Sequence, residues 1–152
     1  MNFRKSGLVI AGLLLVALLL LNRKDLQLLS QTDFAATKIT SSGYELKSIL
    51  HLKNPNLLSS TVNSINEKFY LNDLYIGEFN NEIQQGIPGL KETSFPLNIR
   101  FTTGDIPSIF SNDSTLLNIP CRVTVSGEIA FSTLSGGGKI TVNQTDSIII
   151  IP

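Results

Sequence analysis

The residue types that most often carry out chemistry are scarce in this chain and lie far apart. His51 is the single histidine and Cys121 the single cysteine. A general base needs a hydrogen-bond partner in a cleft, and a cysteine nucleophile needs a base and a lowered pKa. Hydropathy alternation places His51 on a solvent-facing position between Lys47 and Lys53, and Cys121 on an apolar face. We therefore predict a surface histidine, a buried cysteine and no catalytic residues, so the chain is not expected to be an enzyme.

The remaining patterns also fail to form a cofactor or metal site. The segment Gly136-Gly137-Gly138-Lys139 lacks the spacing of a phosphate-binding loop and leads into a strand pattern. One cysteine excludes an internal disulfide or a cysteine-cluster metal site, and one histidine excludes a multi-histidine centre. The acidic residues are dispersed and form no calcium-loop series. The prediction is therefore no cofactor and no metal.

Composition limits the classes of partner. The 152 residues fit one domain, and 41 of them are Ser, Thr or Asn, whereas only 16 % are charged. The formal net charge is zero, divided as +3 over residues 1–25 and −3 over residues 26–152. This balance gives no support for nucleic-acid binding through a basic surface. The polarity of the chain comes mainly from neutral hydrogen-bonding groups.

The N-terminal region contains the apolar run Gly7–Leu21, bounded by Arg4-Lys5 and Arg23-Lys24. As a helix this run extends about 22 Å, less than the roughly 30 Å of a bilayer core. A signal peptide would have a small-residue cleavage site downstream, which is missing here. We therefore predict an uncleaved transmembrane anchor over residues 1–25, in which flanking basic side chains and local thinning absorb the mismatch.

This anchor implies a location and a partner. The lipid bilayer would bind Gly7–Leu21, as in a single-pass membrane protein. Counting basic residues at each end gives a slight bias towards a cytoplasmic N-terminus. The C-terminal domain, residues 34–152, would then lie on the periplasmic or extracellular side, after a spacer over residues 26–33.

Period-two alternation dominates the chain after residue 30. It is clearest in Leu46–Leu52, Phe95–Phe101 and Cys121–Phe131, and predicts half-buried strands. Asn72-Asp73 separates two further apolar runs and predicts a hairpin, because both residue types tolerate positive φ. Helix-start signals predict one short helix between residues 105 and 118. The expected fold class is all-β, an immunoglobulin- or fibronectin-III-like sandwich of about seven strands.

Two groups of residues are candidates for specific structural or contact roles. In Asn54-Pro55-Asn56, the proline must end a strand and the asparagine side chains can form an Asx-type turn, which predicts a structural motif. A ligand-binding role for this motif is the alternative. Aromatic residues beside the hairpin and the apolar C-terminal run, an edge strand or a docking tail, are possible contact surfaces. These residues are Tyr70, Tyr75, Ile148, Ile149, Ile150 and Ile151.

The order of several motifs resembles one family. The motifs are Leu50–Asn56 with its Asn-Pro-Asn, then Tyr70-Leu71-Asn72, Gly77, the strand Phe95–Phe101, and Val123–Gly127. Together they resemble the late-embryogenesis-abundant type 2 domain, also called the water stress and hypersensitive response (WHy) domain, over residues 28–146. The chain departs from the family in having Asn-Asp where the hairpin often has Asn-Gly. The resemblance implies an immunoglobulin-like sandwich behind a membrane anchor, and no catalytic residues.

Two functions follow as expectations. The resemblance implies a non-enzymatic, membrane-anchored module with a protective or binding role in desiccation-type stress, with client proteins as partners. The alternative is a structural or adaptor subunit of a larger membrane-associated assembly, such as an envelope complex or a membrane-containing virion. The apolar run Ile148–Ile151 motivates this alternative, since it is an association hazard if exposed.

Overall fold

The computed structural model describes the backbone of residues 3–102 and 120–151, and the side chains of residues 11–102 and 120–150. Most of this part of the chain is β-structure, as the alternation predicts. The elements are α1 (Phe3–Leu21), β1 (Gln27–Lys38), β2 (Gly43–Lys53), β3 (Ser60–Leu71), β4 (Leu74–Ile87), β5 (Glu92–Thr102), β6 (Pro120–Thr133) and β7 (Gly136–Ile151). The helix predicted between residues 105 and 118 lies outside the described residues.

The N-terminal helix corrects the membrane prediction. Helix α1 contains the apolar run, and at its end the Asn22 amide Nδ2 donates to the carbonyl oxygen of Leu18 (2.6 Å). Among the residues described, no helix combines the length and the apolarity needed to cross a membrane. The predicted transmembrane anchor over residues 1–25 is therefore wrong. The bilayer as partner of Gly7–Leu21 and the single-pass membrane localisation are wrong with it. The physical reason is length, since a fifteen-residue run extends only about 22 Å.

The strands form one sheet, which corrects the predicted two-sheet sandwich. The strand order is β4-β3-β6-β7-β1-β2-β5. The decisive pairing is parallel and short: Ala36 and Thr37 of β1 lie opposite Ile150 and Ile151 of β7. This pairing joins β1, β2 and β5 to the other four strands, whereas a sandwich would keep two sheets separate. Strand β1 begins at Gln27, inside the segment that the sequence predicted to be a spacer.

The sheet curls until its two edge strands come close together. Strand β4 approaches β5 near Gly77, where an added Cβ would lie 3.6 Å from Ile99 Cδ1. The apolar faces of all seven strands line the enclosed interior and form one core. The predicted hairpin is confirmed: Asn72 and Asp73 have φ of 48° and 70° and connect β3 directly to β4. Positive φ at both central residues matches the twist of the flanking strands.

Candidate functional site

The Asn-Pro-Asn segment directly follows β2 and contains a fully buried side chain, that of Asn54. Its Nδ2 donates to the carbonyl oxygens of Leu58 and Ile87, both at 2.9 Å. Its Oδ1 accepts hydrogen bonds from the backbone N–H of Asn56 (3.0 Å) and the hydroxyl of Ser60 (3.2 Å). The Asn56 contact is the Asx-type turn that the sequence predicted. The four bonds tie the end of β2 to the start of β3 and the end of β4.

Asn56 extends this network to the N-terminal part of the chain. Its Nδ2 donates to the carbonyl oxygen of Lys24 (2.8 Å), and its Oδ1 accepts from the Lys24 N–H (3.1 Å). The Asn22 side chain accepts from the backbone N–H of Leu58 (2.7 Å). No pattern in the sequence indicates the role of Asn22, because its partner lies 36 residues away. We call Asn22, Asn54, Asn56 and Ser60 the asparagine cluster.

A polar depression lies elsewhere, on the outer surface of β3, β4, β6 and β7. It is a groove of about 430 Å³. Its exposed lining consists of amide, hydroxyl and charged side chains, whereas Glu67 is buried. The exposed lining residues are Asn66, Lys68, Glu78, Asn80, Glu128 and Thr141. We call this the β3–β6 groove. Among the described residues, no three His, Cys, Asp or Glu side chains are grouped to hold a metal ion.

Comparison with solved structures identifies the fold. The solution structure of AT1g01470 from Arabidopsis thaliana, a late-embryogenesis-abundant-like protein, matches with a TM-score of 0.65 at 11 % identity. The match covers 85 % of this chain and 86 % of that one. A crystal structure of a protein from Archaeoglobus fulgidus matches with a TM-score of 0.58 at 9 % identity, covering 81 % and 97 %. The sequence matches no family model and no curated protein.

The chain shares the type 2 late-embryogenesis-abundant fold. This agrees with the family that the Asn-Pro-Asn motif and the order of later strands resemble, although the strands form one sheet and not the two-sheet sandwich expected from that resemblance. Within the fold, the asparagine cluster holds three chain segments together at one end of the sheet, which agrees with the structural interpretation of Asn54, Pro55 and Asn56. The β3–β6 groove, by contrast, presents its polar groups to solvent.

His51 has partners that the sequence did not indicate. It is half-buried on the outer surface of β2, with Nδ1 2.9 Å from Ser94 Oγ and Nε2 3.0 Å from Thr32 Oγ1. These residues belong to the two neighbouring strands, β5 and β1. Register explains the arrangement, because His51 lies opposite Ser94 of β5 and diagonally across from Thr32 of β1, whose own register partner is Ile49. The sequence alone cannot supply that register.

Cys121 lies in the core of the fold at 1 % exposure. Burial raises the pKa of its thiol, and a hydrogen bond with Asn72 opposes the shift. A raised pKa keeps the sulfur in the less nucleophilic thiol form at neutral pH. The position matches the predicted apolar face of β6, where a buried cysteine behaves as a small hydrophobic side chain.

The predicted contact residues are divided between surface and core. The rings of Tyr70 and Tyr75 pack edge to face across the hairpin with centroids 5.9 Å apart, and Tyr75 remains 49 % exposed. In the C-terminal run, Ile148 and Ile150 are buried in the core, whereas Ile149 is 52 % exposed. The side chain of Ile151 lies outside the described part. Two of the four isoleucines therefore serve the fold itself.

Proposed function

We propose that this chain is a non-enzymatic module that protects or binds client proteins during water loss. The observation that carries the proposal is the β3–β6 groove, whose amide, hydroxyl and charged groups face solvent on a chain with the type 2 late-embryogenesis-abundant fold. The motifs around Asn54 and Gly127 support the same assignment through their resemblance to the family. Fold alone does not specify a function, so the groove is the feature to test.

The proposed mechanism is the replacement of water by side chains. Asparagine presents two donors and one acceptor atom, and threonine a hydroxyl that both donates and accepts. Such groups can satisfy polar atoms on a client surface when hydrating water is withdrawn. Since the exposed lining carries charges of both signs, on Lys68 and on Glu78 and Glu128, this contact needs no charge of a particular sign on the client. The groove therefore suits many protein surfaces rather than one ligand.

A drying assay tests the proposal. A labile dehydrogenase is dried and rehydrated with the full chain or with an equal mass of an inert protein. We expect the full chain to preserve clearly more enzyme activity than the inert protein. Equal recovery with both would contradict a protective role.

Matched variants test whether the groove is responsible. One variant replaces groove residues: Asn66→Ala, Asn80→Ala and Thr141→Ala. The control replaces the same residue types at exposed positions outside the groove: Asn81→Ala, Asn143→Ala and Thr37→Ala. We expect only the groove variant to lose protection, with both variants as stable as the wild type. Equal loss in both would assign the effect to overall composition instead.

The alternative of a structural or adaptor subunit has less to support it. It rests in part on the apolar C-terminal run Ile148–Ile151, as an association hazard if exposed. Ile148 and Ile150 of that run pack in the core, and the backbone of Ile150 pairs with β1. In the part of the chain that is described, Ile149 is then the exposed apolar side chain of this run, which is too small a surface to define an interface.

A further inference from the structure

A carboxyl group lies inside the curled sheet, where its polar contacts cross the interior. Glu67 of β3 is 1 % exposed, and its Oε2 accepts a hydrogen bond of 2.9 Å from Gln31 Nε2 of β1. The same Gln31 amide donates to Ser48 Oγ of β2, also at 2.9 Å. Strands β3 and β1 are separated in the sheet by β6 and β7. The Gln31–Glu67 bond therefore connects opposite sides of the sheet through the core.

The Glu67 carboxyl group has too few hydrogen-bond donors around it to be stable as an anion. Glu67 Oε1 and Gln31 Oε1 are both buried without a hydrogen-bond partner. A carboxylate offers about four acceptor positions, and an ionised one is costly to bury unless it is paired. A single amide donor does not compensate for that cost.

The surrounding elements supply no positive charge to Glu67. The side chains that hydrogen bonds and strand register place around it are neutral on six strands. They are Gln31 on β1, Ser48 on β2, Ile65 and Phe69 on β3, Phe79 on β4, Val125 and Ile129 on either side of Gly127 on β6, and Val142 opposite Gly127 on β7. The other buried carboxyl of the described residues, Glu45, bonds to Asn98 and Arg100 instead. No titratable group thus faces Glu67 among the residues described.

We propose that Glu67 is a proton-dependent latch, which ties β3 to β1 across the interior while its carboxyl is protonated and loosens the sheet when it ionises. The reason is that the interior accepts the neutral acid, whereas the anion would have one donor and no counter-ion. The latch goes beyond the protective function proposed above and does not depend on it.

The direction in which the folding stability changes with pH follows from the pKa shift of Glu67. Burial raises the pKa of Glu67 from 4.5 to about 7, and the hydrogen bond from Gln31 opposes the shift. At a pH below the pKa of Glu67 in the unfolded chain, the folded and unfolded states both hold the proton, and the stability that this group contributes is fully present. As pH rises through the pKa of the folded state, the stability is lost, because the unfolded chain has already released its proton.

The test measures the folding equilibrium of the full chain by denaturant titration between about pH 5 and about pH 8. We expect the equilibrium constant of the wild type to fall on the order of 100-fold more than that of Glu67→Gln, which has no ionisable group. Glu78→Gln removes an exposed carboxyl of β4 and serves as the matched control. It should retain the wild-type pH dependence. Parallel pH profiles for wild type and Glu67→Gln would overturn the proposal.

A second measurement avoids variants, so that it holds even if Glu67→Gln fails to fold. NMR of the full chain with ¹³C-labelled glutamate follows the Glu67 carboxyl carbon directly through the same pH range. We expect a midpoint close to neutrality, accompanied above it by lower protection factors for the amides of β1 and β3, each corrected for the rise of intrinsic exchange with pH. A midpoint near the ordinary glutamate value, or unchanged protection factors across the titration, would overturn the latch.

Discussion

Asn54→Ala should lower the free energy of unfolding by on the order of 4 kcal/mol, measured by denaturant titration of the full chain. The substitution removes four hydrogen bonds at once and leaves the carbonyl oxygen of Ile87 without this donor in a buried site, and that of Leu58 in a partly buried one. Each buried group left without a partner costs about 1–3 kcal/mol, and relaxation keeps the sum below the full total. Against a typical stability of about 5–15 kcal/mol, such a loss leaves a marginal fold.

A matched asparagine separates this effect from the general cost of substitution. Asn143 lies exposed on β7, and Asn143→Ala should change the free energy of unfolding by less than about 0.5 kcal/mol. Asn54→Asp adds a second test, because the carboxylate keeps the acceptor but presents an anion to two carbonyl oxygens. We expect it to be at least as destabilising as the alanine. A loss of under about 1 kcal/mol in both Asn54 variants would show that the cluster does not hold the fold together.

The asparagine cluster also shows what local sequence patterns can and cannot predict. The turn between Asn54 and Asn56 follows from residue types alone, and it was predicted correctly. The partners Ile87 and Lys24 lie 33 and 32 residues away, and no spacing in the sequence points to them. Local patterns thus predicted that the strand ends here. The segments that are joined at this point depend on the topology of the whole sheet.

In the same way, local patterns predicted the positions of several strands but not the topology of the sheet. Alternation located β2, β5 and β6 because each has one buried and one exposed face. It missed the first half of β1, since Gln31 is a polar residue in an interior position and the strand is irregular between Thr32 and Ala35. The β1–β7 pairing that makes one sheet from two halves uses Ala36 and Thr37 in the second half of β1, and no pattern in the sequence indicated β7 as the partner. The latch at Glu67 was missed because its partner Gln31 lies in the first half of β1.

The prediction at the N-terminus failed on length. Gly7–Leu21 is as apolar as a membrane helix requires, and the prediction gave this property more weight than the length of the run. The rise per residue had already indicated that a helix of this length is shorter than the bilayer core. A run of fifteen residues meets the criterion of apolarity but not that of span, so the two must be applied together. By contrast, the buried position of Cys121 was predicted correctly, because it depends on a single alternating strand.

Gly127→Ala should destabilise the fold by about 3 kcal/mol, measured by the same denaturant titration. An added Cβ would lie 2.1 Å from the carbonyl oxygen of Asn66 and 2.7 Å from the Cα of Glu67. Both atoms belong to the backbone of β3, so the clash cannot be relieved by turning a side chain. Strands β3 and β6 would have to separate at the centre of their ladder, where Glu67 and Gly127 are register partners.

Gly86→Ala is the matched control for this prediction, because a Cβ at Gly86 in β4 would meet no atom within 4 Å. This variant should remain within about 0.5 kcal/mol of the wild type. The contrast gives a physical reason for the glycine in the Val123–Gly127 motif. From the sequence alone, this motif shows only a resemblance to the late-embryogenesis-abundant family. If both alanines were tolerated equally, the close approach of β3 and β6 would not require glycine. The motif would then need an explanation other than strand packing.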